Sequence, residues 1–457
     1  MMLIRFLLAA LLSLTLSLPS HAQQAGGVAL SPQEMRAAAL SLLAQGDAPQ
    51  ALAFTQALLS RDPDDLAALL IGAEAAIASD DPATAHAYAT RAWPLATTPD
   101  TRFRAARLAA LALSLEGRDT TAQLWLRRAF QDAPNEEARR SAAEDYSFLR
   151  ARNPLRFQLS GGLRPSSNIN GGSSEDTQTF YLFGVPLEFL LSEDAKALAG
   201  WELSGQLDLN YRLHETPTSR LSLTFGGGYQ AYAFTPSAAA RVPDISASDF
   251  NRGSVQLGLR QEWIHSPGEA PLTLHATHGR RWFGGDLYTT SNGITFSQPF
   301  KLDETSTLTL TADTERTAYI DAGDSARASA VQAQLSRSLD NGVGLSVTAA
   351  RLITTSETLT RAYTGRRLGV SLSLPDLLGE SDLGVSLSHE RRAYRASITP
   401  DPRRDNTTTL GLNAELPSLE FYGFKPVLSI QASRTDSTVN RYTTRALSTG
   451  LTFRSSF

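Results

Sequence analysis

The chain of 457 residues contains no cysteine. That absence excludes disulfides, thiolate nucleophiles, thiolate metal sites and a lipid-modified N-terminal cysteine. Lysine is almost missing too. Only Lys196, Lys301 and Lys425 occur among 42 basic residues, so arginine carries nearly all the positive charge. A net charge of -4 with a pI near 6.0 leaves no electrostatic footprint for nucleic acid. The phosphate-cradling pattern G-x-x-x-x-G-K-[ST] does not occur, and no cofactor or metal site is expected.

Long apolar runs are missing beyond the first residues. "MMLIRFLLAALLSLTLSLPSHA" has one positive charge at Arg5, an apolar run from Phe6 to Leu18, a helix-breaking Pro19 and a small-x-small site at Ser20-His21-Ala22. It reads as a secretory signal peptide over residues 1–22. A membrane anchor needs about 20 apolar residues, and this run is shorter. The protein is therefore expected to be exported and to fold without covalent staples.

Composition changes abruptly near residue 153. From Ser31 to Asn153 the chain is rich in Ala, Leu and Arg at helical spacing. "SPQE", Ser31 to Glu34, is a capping box with proline at the first helical position. Ala37, Leu40 and Leu43 mark the expected apolar stripe of the first helix. Turn marks at Gly46, Asp80 and Gly117 and closing prolines at Pro63, Pro99 and Pro134 recur at the period of tetratricopeptide repeats. Small residues at Ala39, Ala51, Ala85, Ala105 and Ala122 suit close helix crossing. Three repeats plus a last helix are expected within a domain over 23–152; an unrelated helical bundle is the other reading. Such a solenoid offers a concave face to peptide or protein partners and carries no catalytic chemistry of its own.

From Leu155 onward Ser, Thr and Gly dominate and the apolar period becomes two. "SVQLGLRQEW" puts Val255, Leu257, Leu259 and Trp263 on one face and Ser254, Gln256, Arg260 and Glu262 on the other. "STLTLTADTER" separates Leu308, Leu310 and Ala312 from Thr307, Thr309, Thr311, Asp313 and Glu315. A soluble sandwich could alternate likewise. Some 300 residues of such strands without a helix, in an exported chain, predict an antiparallel transmembrane β-barrel over 153–457. The last strand carries Leu451, Phe453 and a terminal Phe457 on one face. It resembles the signal by which outer-membrane barrels are recognised by the barrel assembly machinery. Counting back from Phe457 reaches 14 strands if 179–190, with its interior Pro186, is placed in a long first loop over 164–200. The fold class is thus α+β multidomain: a tetratricopeptide-like α-helical solenoid followed by a 14-stranded barrel.

The stretch "GGLRPSSNIN" at the exit of the first barrel strand resembles the surface lipoprotein assembly modifier family, the outer-membrane translocators of type XI secretion. In that pattern Pro165, Ser167, Asn168, Ile169 and Asn170 match, while Ser166 stands where the family has an acid. "WFGGDLY", Trp282 to Tyr288, resembles one of its tight connections. "RRDNTTTLGL", with Arg403, Arg404 and Asp405, and "GFKPVLSIQASRTDSTVNRY", with Gly423 and Pro426, resemble its last strands, with Thr438 where an asparagine is usual. The two asparagines suit a sharp re-entry at the barrel mouth, since Asn tolerates left-handed backbone and bonds its own loop; an ordinary polar loop is the alternative.

The resemblance implies a monomeric barrel among outer-membrane lipids, with its helical domain in the periplasm. Its partner would be a secreted protein or lipoprotein cargo. An acyl chain costs about 0.8 kcal/mol per methylene to remove from a bilayer, so a weak seam in the barrel wall is a more plausible route than a wide pore. An exopolysaccharide exporter and a general porin with a helical adaptor are the competing readings. An outer-membrane enzyme would need a triad around His265, His275, His278 and Asp286, but His275 and His278 differ in parity and should face opposite sides of the wall.

Overall fold

The computed structural model describes residues 30–264, 269–375, 381–397 and 399–455. The expected signal peptide, His265 and Phe457 lie outside the described residues. Two compact units divide the chain: one ends at Trp125 and takes in 132–134, the other holds Leu126–Gln131 and everything from Asn135.

Seven helices come first: α1 (Pro32–Ala44), α2 (Ala48–Arg61), α3 (Leu66–Ala78), α4 (Pro82–Leu95), α5 (Pro99–Leu115), α6 (Asp119–Gln131) and α7 (Glu136–Arg152). Each of the first four packs on the next, as stacked helical hairpins do. The capping box forms, with Glu34 N donating to Ser31 Oγ at 3.3 Å and Ser31 N donating to Glu34 Oε2 at 2.8 Å. Asp47, Asp65 and Asp81 cap α2, α3 and α4, each cap contributing about 1 kcal/mol. Gly46, Asp80 and Gly117 all have positive φ, so the three turn marks end their helices through left-handed residues. Ala39, Ala51, Ala85, Ala105 and Ala122 are fully buried, as close crossings require. Two details differ from the sequence reading. Ala37 and Leu40 of the expected stripe are exposed and Ala39 is the buried position of α1, because backbones this close admit only a methyl group. Pro99 opens α5, behind a Thr98 cap, rather than closing α4.

In the second unit α7 is followed by its C-cap Asn153, whose Oδ1 accepts from Leu155 N at 2.9 Å. The chain then enters β1 (Leu155–Ser166). The remaining wall strands are β4 (Gly200–Thr216), β5 (Ser219–Phe234), β6 (Arg252–Trp263), β7 (Leu272–Phe283), β8 (Asp286–Lys301), β9 (Ser306–Tyr319), β10 (Asp324–Ser338), β11 (Gly344–Ser356), β12 (Tyr363–Leu374), β13 (Asp382–Tyr394), β14 (Arg404–Glu415), β15 (Phe424–Ser437) and β16 (Thr444–Ser455). Neighbours pair antiparallel, and β16 returns to β1 to close a 14-stranded barrel. β2 (Thr177–Leu182) and β3 (Val185–Leu190) form a separate hairpin inside the first loop. Segment 179–190 is thus outside the wall, as counted, but it is paired strand rather than plain loop. The loop between β5 and β6 also holds a short helix, α8 (Pro236–Arg241), so the region is not entirely strand and turn.

Register assigns the faces. Val347, Val370, Leu387, Leu410, Ala432 and Leu447 stand opposite one another across β11 to β16. One residue away, Ser346, Ser371, Ser386, Gly411, Gln431 and Ser448 form a parallel polar row. The leucines of the first row are about half exposed, Leu387 at 51 % and Leu447 at 54 %. A closed ring of exposed aliphatic side chains around a polar interior is stable only in an apolar solvent, so the barrel belongs in an outer membrane with this face against lipid. The longest connections, after β1, β5 and β13, share one rim, called here the loop end; β1 starts and β16 finishes at the other, the turn end.

Candidate functional site

The seam where the barrel closes differs from the other strand pairings. β1 pairs with β4 over twelve consecutive positions; with β16 it pairs, among the described residues, at Ser160, Gly161, Gly162, Leu163 and Ser166. Pro165 has no N–H to donate, and the ladder lapses at Arg164 and Pro165. Little side chain braces the seam. Gly161 and Gly162 face Phe453 and Thr452, and a Cβ on Gly162 would meet the Leu451 carbonyl oxygen at 2.7 Å. Inside, the seam borders a cavity of about 820 Å³ lined by Arg164, Glu202, Gln206, Gln230, Arg252 and Arg281, among others. Arg164 Nη2 donates to both Glu202 oxygens at 2.8 Å.

At the loop end the same strand hands over to the segment that matched the family pattern, and there the seam is laced. Ser167 N donates to Leu447 O at 3.0 Å and Leu447 N donates to Ser167 Oγ at 2.9 Å, which carries the β1–β16 pairing past Pro165 through a side chain. Asn168 Oδ1 accepts from Gly172 N at 2.9 Å while its Nδ2 donates to Gly172 O at 2.9 Å and Arg445 O at 3.3 Å. Asn170 Nδ2 donates to Asp194 O and Lys196 O, both at 2.8 Å, and its Oδ1 accepts from Leu198 N at 3.0 Å. Ile169 is buried and would touch any side chain placed at Gly200. The asparagines bond their own loop as anticipated. Neither uses left-handed backbone, however; Gly171 takes the positive φ, leaving both asparagines free to act through their amides.

The second set of motif residues meets the first loop, through its residues 173–178, at loop 438–443. Arg403 lies between Tyr394 and Tyr442, its guanidinium carbon 3.3 Å from the Tyr442 ring centre, and Nη2 bonds Asp405 Oδ2 at 2.5 Å. Ser437 Oγ donates to Asp405 Oδ1 at 2.7 Å. From the other side Ser173 Oγ donates to Asn440 O at 2.9 Å, Ser174 N to Thr443 O at 2.8 Å, and Arg441 N to Gln178 Oε1 at 2.9 Å. Arg404 contributes only backbone here, its N–H donating to Thr438 Oγ1 at 3.0 Å. Ser173, Ser174, Gln178 and Tyr442 were not singled out in the sequence. They are ordinary polar loop residues there, and only the fold brings them to the seam.

Gly423 and Pro426 lie at the opposite, turn end. Gly423 has φ 76° in the β14–β15 turn, and Pro426 faces Phe453 on the outer wall. Leu451 stands beside Leu163 and Leu428 on that wall. "WFGGDLY" forms the expected tight connection, a two-residue turn with Gly284 and Gly285 both at positive φ. His275 faces the lumen, 2.9 Å from Thr224 Oγ1, and His278 faces outward, 3.0 Å from Asn292 Oδ1. The two imidazoles therefore cannot share a site. Glu193, in the first loop, is held below the usual carboxylate range by hydrogen bonds from Lys196 and Arg241, so the loop is also tied to α8.

Replacing Asn170 by Ala removes every one of these amide bonds and strands the buried Leu198 N–H. The expected cost to loop closure is about 2 kcal/mol. Protease cleavage within 171–199 of the folded barrel should accelerate about 30-fold. An unchanged cleavage rate would mean that Asn170 does not hold the loop.

No family model matches the chain, and no curated protein matches it. Solved structures are similar to it in parts. The type III secretion translocator chaperone SycD of Yersinia enterocolitica is 17 % identical, over 26 % of this chain and 83 % of that one, with a TM-score of 0.25. The first tetratricopeptide domain of human RPAP3 is 16 % identical over 26 % of this chain and 95 % of its own, with a TM-score of 0.23. A BenF-like porin from Pseudomonas fluorescens Pf-5 is 7 % identical over 66 % of this chain and 98 % of that one, with a TM-score of 0.38.

Proposed function

We propose that the protein is an outer-membrane translocator that delivers a specific partner protein, most simply a lipoprotein, from the periplasm to the cell surface. A channel or transporter role follows from a closed barrel with a polar lumen. The finer reading draws its support from one observation: the closing seam is glycine-lined and interrupted at Pro165, yet laced across its loop end by residues that resemble the translocator pattern. A solute pore needs no such seam. A cargo with an acyl chain does, because its polypeptide can cross while its lipid stays in the bilayer.

The lumen suits a protein passenger. Arg281 sits 3.5 Å from Glu315 and Arg367 2.5 Å from Glu390, so the polar face offers paired charges of both signs rather than a single-sign ion filter. In this reading the helical repeats receive cargo on the periplasmic side, the loops face outward, and cargo folding outside supplies direction. Deleting the gene should remove one or a few specific proteins from the cell surface while exopolysaccharide and small-solute uptake stay unchanged. Surface proteomics beside polysaccharide staining measures both. A normal surface proteome with lost polysaccharide would sink the translocator reading and favour an exporter.

A further inference from the structure

The barrel contains four Arg-Arg dipeptides, and strand alternation splits each of them across the wall. Arg281, Arg367, Arg392 and Arg403 point inward and each meets a carboxylate: Glu315 at 3.5 Å, Glu390 at 2.5 Å, Glu390 again, and Asp405 at 2.5 Å. Their neighbours Arg280, Arg366, Arg391 and Arg404 point outward, exposed, with no ion pair among the described residues. Arg351, Arg366 and Arg391 stand directly opposite one another on β11, β12 and β13. Arg316 and Arg327 form a second such pair on β9 and β10. Acids do not balance them. Register sends Asp313, Glu315, Glu390 and Asp405 inward, and the outward Asp436 pairs with Arg434 at 2.7 Å.

Position along the strand sets the depth of this row. Below Arg366, toward the turn end, the outer face of β12 continues through Leu368, Val370, Leu372 and Leu374; below Arg391, β13 continues through His389, Leu387, Val385 and Leu383. Arg366 to Leu374 spans about 27 Å of strand at ~3.4 Å per residue, or about 20 Å of membrane normal at a tilt of about 40°. The apolar band of such barrels is about 25 Å tall, so the guanidiniums reach the headgroups of the leaflet at the loop end. Like charges directly opposite on neighbouring strands destabilise a sheet unless something neutralises them. Arginine's planar fork matches the oxygens of phosphate.

We propose that Arg351, Arg366 and Arg391, extended by Arg316 and Arg327, form a binding surface on the lipid-facing wall for a multiply phosphorylated lipid headgroup of the loop-end leaflet. Phosphates bridging adjacent guanidiniums convert the repulsive row into an adhesive one and fix the barrel's height in the bilayer. The inference needs only the barrel's place in a membrane; its failure would leave the translocator reading untouched.

The test uses the full-length protein in phosphatidylcholine nanodiscs, titrated with bis-phosphorylated lipid A and with the same lipid after phosphatase treatment. The wild type should bind the phosphorylated form at least tenfold more tightly. Arg351→Gln, Arg366→Gln and Arg391→Gln together should reduce that preference to within about twofold. Arg337→Gln, which removes an outward arginine near the turn end of β10, should leave it intact. Changing the three arginines to lysine keeps the charge in a folded wall and should retain most of the preference. Inorganic phosphate at millimolar concentration should not displace the lipid, because the row sits in a lipid-covered wall. A wild type indifferent to the lipid's phosphates, a triple Gln variant that keeps the preference, or displacement by inorganic phosphate would overturn the proposal.

Discussion

A disulfide across the closing seam should abolish cargo delivery, and reduction should restore it. Ser166 and Ser448 face each other on β1 and β16, next to the gap at Pro165, and both change to cysteine almost isosterically. The chain has no other cysteine, so the bond formed is unambiguous. Directly opposed Cβ atoms are roughly 4.5–5.5 Å apart, close enough for an oxidant to bridge them with a small adjustment. The Ser371→Cys, Ser386→Cys pair, similarly opposed on β12 and β13, supplies the control within a continuous ladder. Oxidised Ser166→Cys, Ser448→Cys should cut surface-displayed cargo by more than tenfold, while the oxidised control delivers normally. Equal delivery by both would send the cargo through the lumen and remove the seam from the mechanism.

The second large effect concerns the wall itself. Leu387 lies midway along β13 on the outer face, flanked by Val370 and Leu410, and its neighbour Ser388 points into the lumen between Gly369 and Thr409. An arginine at the bilayer midplane costs about 2–4 kcal/mol. Leu387→Arg should lower the unfolding free energy in lipid vesicles by that amount, and the heat-modifiable folded band on a gel should weaken accordingly. Ser388→Arg adds the same charge one residue away, where Gly369 leaves room and water is present. It should shift stability by less than about 0.5 kcal/mol. Equal penalties at the two positions would contradict the assignment of faces.

The contrast between those two adjacent residues also shows how far the chain could be read before it was folded. Strand alternation is a local rule with a period of two, so Val255 and Leu257 outward, Arg260 inward, and the separation of His275 from His278 all followed from parity. The helical turn marks Gly46, Asp80 and Gly117 were legible for the same reason: a left-handed residue is a property of one position. The first helix was misread at Leu40 because a stripe of leucines signals burial only when backbones are far enough apart to hold them, and here alanine crossings decide the packing.

The meeting of distant residues was not local. Ser173, Ser174 and Gln178 come from one end of the barrel sequence, Arg403, Asp405 and Tyr442 from the other, and only closure of β1 on β16 places them around loop 438–443. The asparagines' role changed for that reason as well. Their identity suggested left-handed backbone, but once Gly171 supplied the turn, their amides were free to bond the carbonyls and N–H groups that the fold delivered. By itself the sequence determined which residues face lipid, which face water and how many strands there are, because these depend on spacing along one chain. Tertiary structure alone decided where the ring closes, where its ladder lapses and which loops lace it, because hydrogen bonds between strands almost 300 residues apart have no signature in either strand.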